Sequence, residues 1–185
     1  MTRILAIDSS LSGTGLCRLV IDSYDADGYV GDYSLVTLAA PKKRGGHQDM
    51  SRRITHLLAR IDAAMAAEPF DLIVLEDIPY SAQPNHPLVW LWGKIIDRTV
   101  GRTLPLIVVN ASTIKKFATG DGRAKKEVVA LAMTNRYPAL GIADNNQADA
   151  AALAMIGARF LGRPVDSMPK SHLQSKGLRD LALET

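Results

Sequence analysis

Three acidic residues stand where acid is unfavourable. Asp8 follows the apolar run ILAI, Glu76 follows LIVL, and Asp149 precedes AAALAMI, so each carboxylate belongs to a segment that reads as buried. Burying one carboxylate costs free energy, and holding three together adds mutual repulsion. The simplest compensation is a divalent cation with oxygen ligands. Such clusters commonly hold two Mg²⁺ ions about 3.5 to 4 Å apart, which activate a water and stabilise the leaving oxygen in phosphodiester cleavage. Mn²⁺ accepts the same ligands. Taken singly, Asp8 is an ordinary turn former after a strand and Asp149 an ordinary acid near a helix start. The three together, with a basic stretch between the second and third, favour metal chemistry. Asp77 adjoins Glu76, but strand parity with Leu72 and Val74 selects Glu76.

The basic stretch is local. Residues 111 to 136 carry Lys115, Lys116, Arg123, Lys125, Lys126 and Arg136 against Asp121 and Glu127, six positive to two negative, whereas the whole chain has 22 basic and 19 acidic residues. A lysine is a mobile point charge suited to a phosphate, and Gly120 and Gly122 between the lysine pairs would let backbone amides approach a nucleic-acid strand. The serines and glycines after Asp8 offer a second close approach. Trp90 and Trp92 fit a core or a subunit interface better than base stacking, and His47, His56, His86 and His172 lack metal-ligand spacing.

The elements that must position these groups follow from pattern. Strands are expected at 3–8, 15–21 and 33–39, joined by turn-rich DSSLSG and DSYDADGYVGD, which makes an antiparallel meander. PKKRGGH (41–47) reads as a mobile basic loop, and Ile54, Leu57, Leu58, Ile61 and Met65 then keep helical spacing. DLIVLED is a buried strand, parallel to an earlier one through a right-handed crossover. Residues 88–100 form a helix apolar on more than one side, which a partner subunit would help to bury. PLIVVN is a fifth strand. Helices follow over NASTIKKFA, RAKKEVVALAMTNRY, and from Asn146 or Gln147 to Phe160. The whole reads as α/β: a mixed five-stranded sheet, three antiparallel strands plus two parallel ones, flanked by helices.

With 185 residues, 47% apolar and 22% charged, the chain suits one globular domain over 1–161 and a flexible tail over 162–185. No run approaches a membrane span, the N-terminus does not read as a signal peptide, and the single Cys17 excludes an intrachain disulfide. A reducing, cytoplasmic setting is expected.

On the motifs AIDSSLSGTG, VLEDIPY, TIKKFATGDGRAKKEVV and NNQADAAALA, the chain resembles RuvC-type Holliday junction resolvases, in particular their short phage-encoded branch, on the RNase H-like fold. The resemblance runs over residues 3 to 160. It implies that Asp8, Glu76 and Asp149 are metal-binding catalytic acids, and that Asn146 takes the place of a fourth acid or a histidine. Asparagine can coordinate a cation but cannot act as a base, which leaves Asp144 as a substitute. Lys116 and Lys126 match phosphate-contacting lysines, with Lys115 and Lys125 as adjacent fallbacks. The implied protein is a homodimeric, Mg²⁺-dependent endonuclease of the cytoplasm, the host's if phage-encoded. It would bind branched DNA and resolve four-way junctions by paired nicks leaving 5′-phosphate and 3′-hydroxyl ends. Two other readings are an actin or sugar-kinase type ATP-binding domain, whose phosphate loop resembles IDSSLSGTG, and a junction-binding relative with weak catalysis.

Overall fold

The computed structural model describes residues 1–25, 28–78 and 86–174. Pro79 and Tyr80 of VLEDIPY, and the expected tail beyond Gln174, lie outside the described residues.

The strands are β1 (Thr2–Asp8), β2 (Thr14–Asp25), β3 (Gly28–Leu38), β4 (Leu72–Glu76) and β5 (Leu106–Val109). They form one sheet in the order β3-β2-β1-β4-β5, antiparallel from β3 to β1 and parallel from β1 to β5. This is the mixed sheet expected from the pattern. The β2–β3 hairpin is longer than its sequence suggests. DSYDADGYVGD is polar because β1 ends its pairing at Ile21, so the hairpin continues past the sheet with Asp22, Ser23, Gly31 and Asp32 exposed.

Helices α1 (Gly46–Ala66) and α2 (His86–Gly101) cover one face of the sheet. The apolar stripe Ile54, Leu57, Leu58, Ile61 and Met65 meets Leu5, Ile7, Ile73 and Leu75 from β1 and β4. The other face is covered by α3 (Ala111–Thr119), α4 (Lys126–Arg136) and α5 (Asn145–Phe160). Helix α5 is buried on every side from Ala148 to Ala158, because alanines let sheet and helices approach it closely. Gly157 shows how close: a Cβ there would stand 2.6 Å from Val74 Cγ2.

Two expectations are corrected. Residues 162–174 are not a loose tail. Val165, Met168 and Leu173 pack on the α5-side core, Asp166 accepts from Tyr137 Oη at 2.7 Å, and the short helix α6 (Lys170–Leu173) sets His172 Nδ1 2.9 Å from the Phe117 carbonyl. PKKRGGH is also braced. Asp49 is 8% exposed, and its Oδ2 accepts from the Arg44 and Gly45 amides at 2.7 and 3.1 Å while Oδ1 pairs with Arg52 at 2.6 Å.

The Arg44 amide, then Arg52, hold the Asp49 carboxyl down from 3.8 to about 2. A folded pKa below the unfolded one gives stability that is present above the unfolded value and lost as pH falls through the folded one. Asp49→Asn should therefore lower the melting temperature at pH 7, with the gap to the parent closing between about pH 4 and pH 2. Thermal melts across that range would check it, and a constant gap would refute it.

Candidate active site

Asp8 and Glu76 each end a strand at the carboxyl edge of the sheet. The parallel register pairs Ile7 with Leu75, so the next step sets the two acids side by side. Asp8 is 3% exposed, and its Oδ2 is buried without a hydrogen-bond partner. Asp149 arrives from above. It sits on the second turn of α5, buried, with Lys126 Nζ 3.8 Å from its Oδ2. These residues line one open cavity of about 290 Å³ together with Ser9, Ser10, Asp77 and Lys115.

The electrostatics follow from this crowding. Burial, followed by the hydrogen bond and charge of Asp8, pushes the Glu76 carboxyl far above the ordinary range. Burial and then the Asp8 charge push Asp149 up to about 6, against the pull of Lys126 and Lys115. Among the described residues, no three His, Cys, Asp or Glu side chains are grouped closely enough to hold an ion in this arrangement. The donor set nevertheless fits a hard cation: all oxygen, with a buried carboxylate oxygen lacking a partner and two acids whose charged forms are disfavoured by burial and then by Asp8.

The remaining sequence candidates separate. Lys115 faces the cavity with Ala111 and Ile114 on one side of α3, whereas Lys116, turned about 100° further round the helix, does not line it. Lys126 lines the cavity; Lys125, the residue before α4, is exposed and does not. Asn146 is also absent from the lining. Its side-chain amide lies against Gly13, where a Cβ would stand 2.9 Å from Nδ2. Asp144 is spent on structure, capping α5 through Gln147 N at 2.8 Å and accepting from Thr37 Oγ1 at 2.6 Å. Gly120 is the left-handed cap of α3, and Gly122 packs near the Ser112 carbonyl; neither lines the cavity.

The glycines of SGTG also have a different use from the one expected. A Cβ on Gly15 would stand 2.1 Å from the Asn146 carbonyl oxygen, so this glycine seats the start of α5 on β2 and thereby sets the height of Asp149. Ser9 and Ser10, not the glycines, face the cavity.

Sequence reasoning missed one supporting contact. Trp92 Nε1 donates to the Glu76 carbonyl at 3.0 Å, tying α2 to the end of the strand that carries this acid. Trp90 is 40% exposed on the outer side of the same helix, with Val89 and Val100.

With the geometry known, comparison places the fold. No family model and no curated protein matches the chain. Among solved structures, the chain shares the RNase H-like architecture of RuvC: Thermus thermophilus RuvC aligns with a TM-score of 0.64 at 17% identity, over 88% of this chain and 98% of that one. T. thermophilus RuvC in complex with a Holliday junction substrate aligns with a TM-score of 0.60 at 18% identity, over 83% and 91%. The fold is thus RuvC-like.

Two measurements test the site. Raised acid pKa values favour the folded state below the unfolded pKa, and that advantage is lost as pH rises through the folded value. The metal-free protein should therefore lose thermal stability from about pH 4 upward through pH 6 and beyond. Asp149→Asn should recover several degrees at pH 8, at roughly 2 to 4 °C per kcal/mol relieved; no recovery would mean the acids do not repel as described. Trp92→Phe keeps the apolar contact and removes the donor, so urea unfolding should show a loss of about 1 kcal/mol. An unchanged midpoint would show that water replaces the indole.

Proposed function

We propose that this protein is a metal-dependent endonuclease that resolves four-way DNA junctions as a homodimer. One observation carries the reading: three carboxylates from β1, β4 and α5 and two lysines from α3 and α4 share a single open cavity at the sheet edge. Carboxylates alone would repel a phosphate. Lys115 and Lys126 stand beside them to draw the phosphodiester in and offset its charge. Asp8, Glu76 and Asp149 would hold Mg²⁺, or Mn²⁺, one or two ions per site. Such ions activate a water and stabilise the departing oxygen. Asn146 lies outside the cavity lining, and the fourth carboxylate on that lining is Asp77.

The openness of the cavity suits a strand of a large substrate, and recognition through backbone charge suits branched DNA read by shape. RuvC, the structural neighbour, is known in complex with a Holliday junction substrate, which supports the same substrate class here. The outer face of α2, with Val89, Trp90 and Val100 exposed, supplies an apolar surface for a two-fold partner. Two sites related by that axis would nick symmetric strands. An ATP-binding reading fits less well, because Gly13 and Gly15 are closed against Asn146 and leave no open turn to wrap phosphates.

The test is cleavage of a labelled synthetic four-way junction beside a flap, a duplex and a single strand, with Mg²⁺ or EDTA. Paired nicks on the junction that require the metal are expected. Asp8→Asn should abolish them and leave junction binding nearly intact, whereas wild-type binding without cutting would leave only a DNA-binding relative. Lys126→Ala should weaken binding for all sequences and flatten its salt slope by about 1. An unchanged slope would remove that lysine from the phosphate path.

A further inference from the structure

One basic motif is left unused by the site above. Residues 41 to 53 carry Lys42, Lys43, Arg44, Arg52 and Arg53 against the single acid Asp49. The five cations divide into two groups with different duties. Arg52 Nη2 donates to the Lys42 carbonyl at 3.1 Å and pairs with Asp49. Arg53 donates through Nε to the Pro41 carbonyl at 3.0 Å and through Nη2 to the Leu11 carbonyl at 2.8 Å. Together with the Asp49 clamp on the Arg44 and Gly45 amides, these bonds brace the segment on both sides. Lys42, Lys43 and Arg44 make no such bond with their side chains; all three are exposed, and among the described residues none is paired with an acid.

The brace also fixes where that charge stands. Leu11 follows directly on Ser10, which lines the cavity, and is three residues from Asp8, at most about 10 Å along the chain. Ala40, Leu11 and Met50 pack against the α1-side core, so the segment belongs to the α1 face of the sheet. Lys115 and Lys126 reach the same edge from helices on the α5 face. Basic side chains therefore stand on both faces of the sheet, and on the α1 side they are free of acid partners on a backbone that is already ordered, which lowers the entropy lost on binding a polyanion.

We propose that Lys42, Lys43 and Arg44 form a second phosphate-contacting surface, which grips the backbone of a duplex arm flanking the scissile phosphate. This deepens the nuclease reading and rests on it. The contact is with sugar-phosphate backbone, so it adds affinity and orientation without sequence preference.

The test uses the Asp8→Asn protein, which is expected to bind without cutting, titrated with a four-way junction and with plain duplex over about 50 to 200 mM salt. Adding Lys42→Gln, Lys43→Gln and Arg44→Gln should reduce the slope of log affinity against log salt by about 2 to 3, and Lys42→Gln alone by about 1. Hydroxyl-radical footprints should lose protection on one arm and keep it at the scissile position. A slope and footprint equal to the parent's would overturn the proposal. Should the parent bind duplex as tightly as junction, the junction preference falls while the slope change still decides the loop. A parent that binds neither DNA would sink both.

Discussion

Two carboxylates are brought into contact by the parallel pairing of β1 and β4, at a place where little water can screen them. Backbone hydrogen bonds across the centre of the sheet fix the two strand ends side by side. One Asp8 oxygen is buried without a partner, and burial, followed by the hydrogen bond and charge of Asp8, drives Glu76 toward its neutral form. A site under this strain is a ready acceptor for positive charge. Lys126 and Lys115 pull against the upward shift that burial and then Asp8 impose on Asp149.

The rest of the architecture keeps the third acid in range. Helix α5 lies flush on the sheet because it is built from alanine, with glycines at the two tightest approaches, Gly157 against Val74 and Gly15 beneath Asn146. The segment after α5 folds back and fastens the helices around it: Asp166 takes the Tyr137 hydroxyl and pairs with Arg159, while Arg136 and His172 converge on the carbonyls at the end of α3. Trp92 steadies the far side by bonding the Glu76 backbone. Together these contacts hold the elements that carry the three acids in place.

Much of this was legible before any coordinates. Apolar runs ending in acid announced two strand ends, and helical spacing announced the face of α1. The lysines were harder. Lys115 and Lys116 are equivalent in composition, and only the rotation of α3, set by burial of Ile114 and Phe117, turns one toward the cavity and the other away. Asp49 gave no sign at all, since an acid in the first turns of a helix is ordinary, and its burial depends on a loop folding back over it. The polar hairpin and the packing of residues 162–174 were misread for one reason. Backbone pairing beyond a core, and small apolar contacts spread along a proline- and glycine-bearing segment, leave no periodic signal.

Sequence alone therefore determined the chemistry on offer: carboxylates at the ends of buried segments, a concentrated run of lysines, and a mixed sheet of three antiparallel and two parallel strands implied by turn lengths and crossovers. These are properties of residue type and local spacing, which short-range physics reads directly. Tertiary structure decided which of those groups meet. Asp144 became a cap, Asn146 a packing residue and Gly15 a seat for a helix, while Lys115 displaced Lys116 at the cavity. Apart from the Asp144 cap, which is local, the bond from Thr37 to Asp144 and the seating of Asn146 against Gly13 and Gly15 depend on ångström-scale approach between elements more than a hundred residues apart, and no local pattern encodes a distance of that kind.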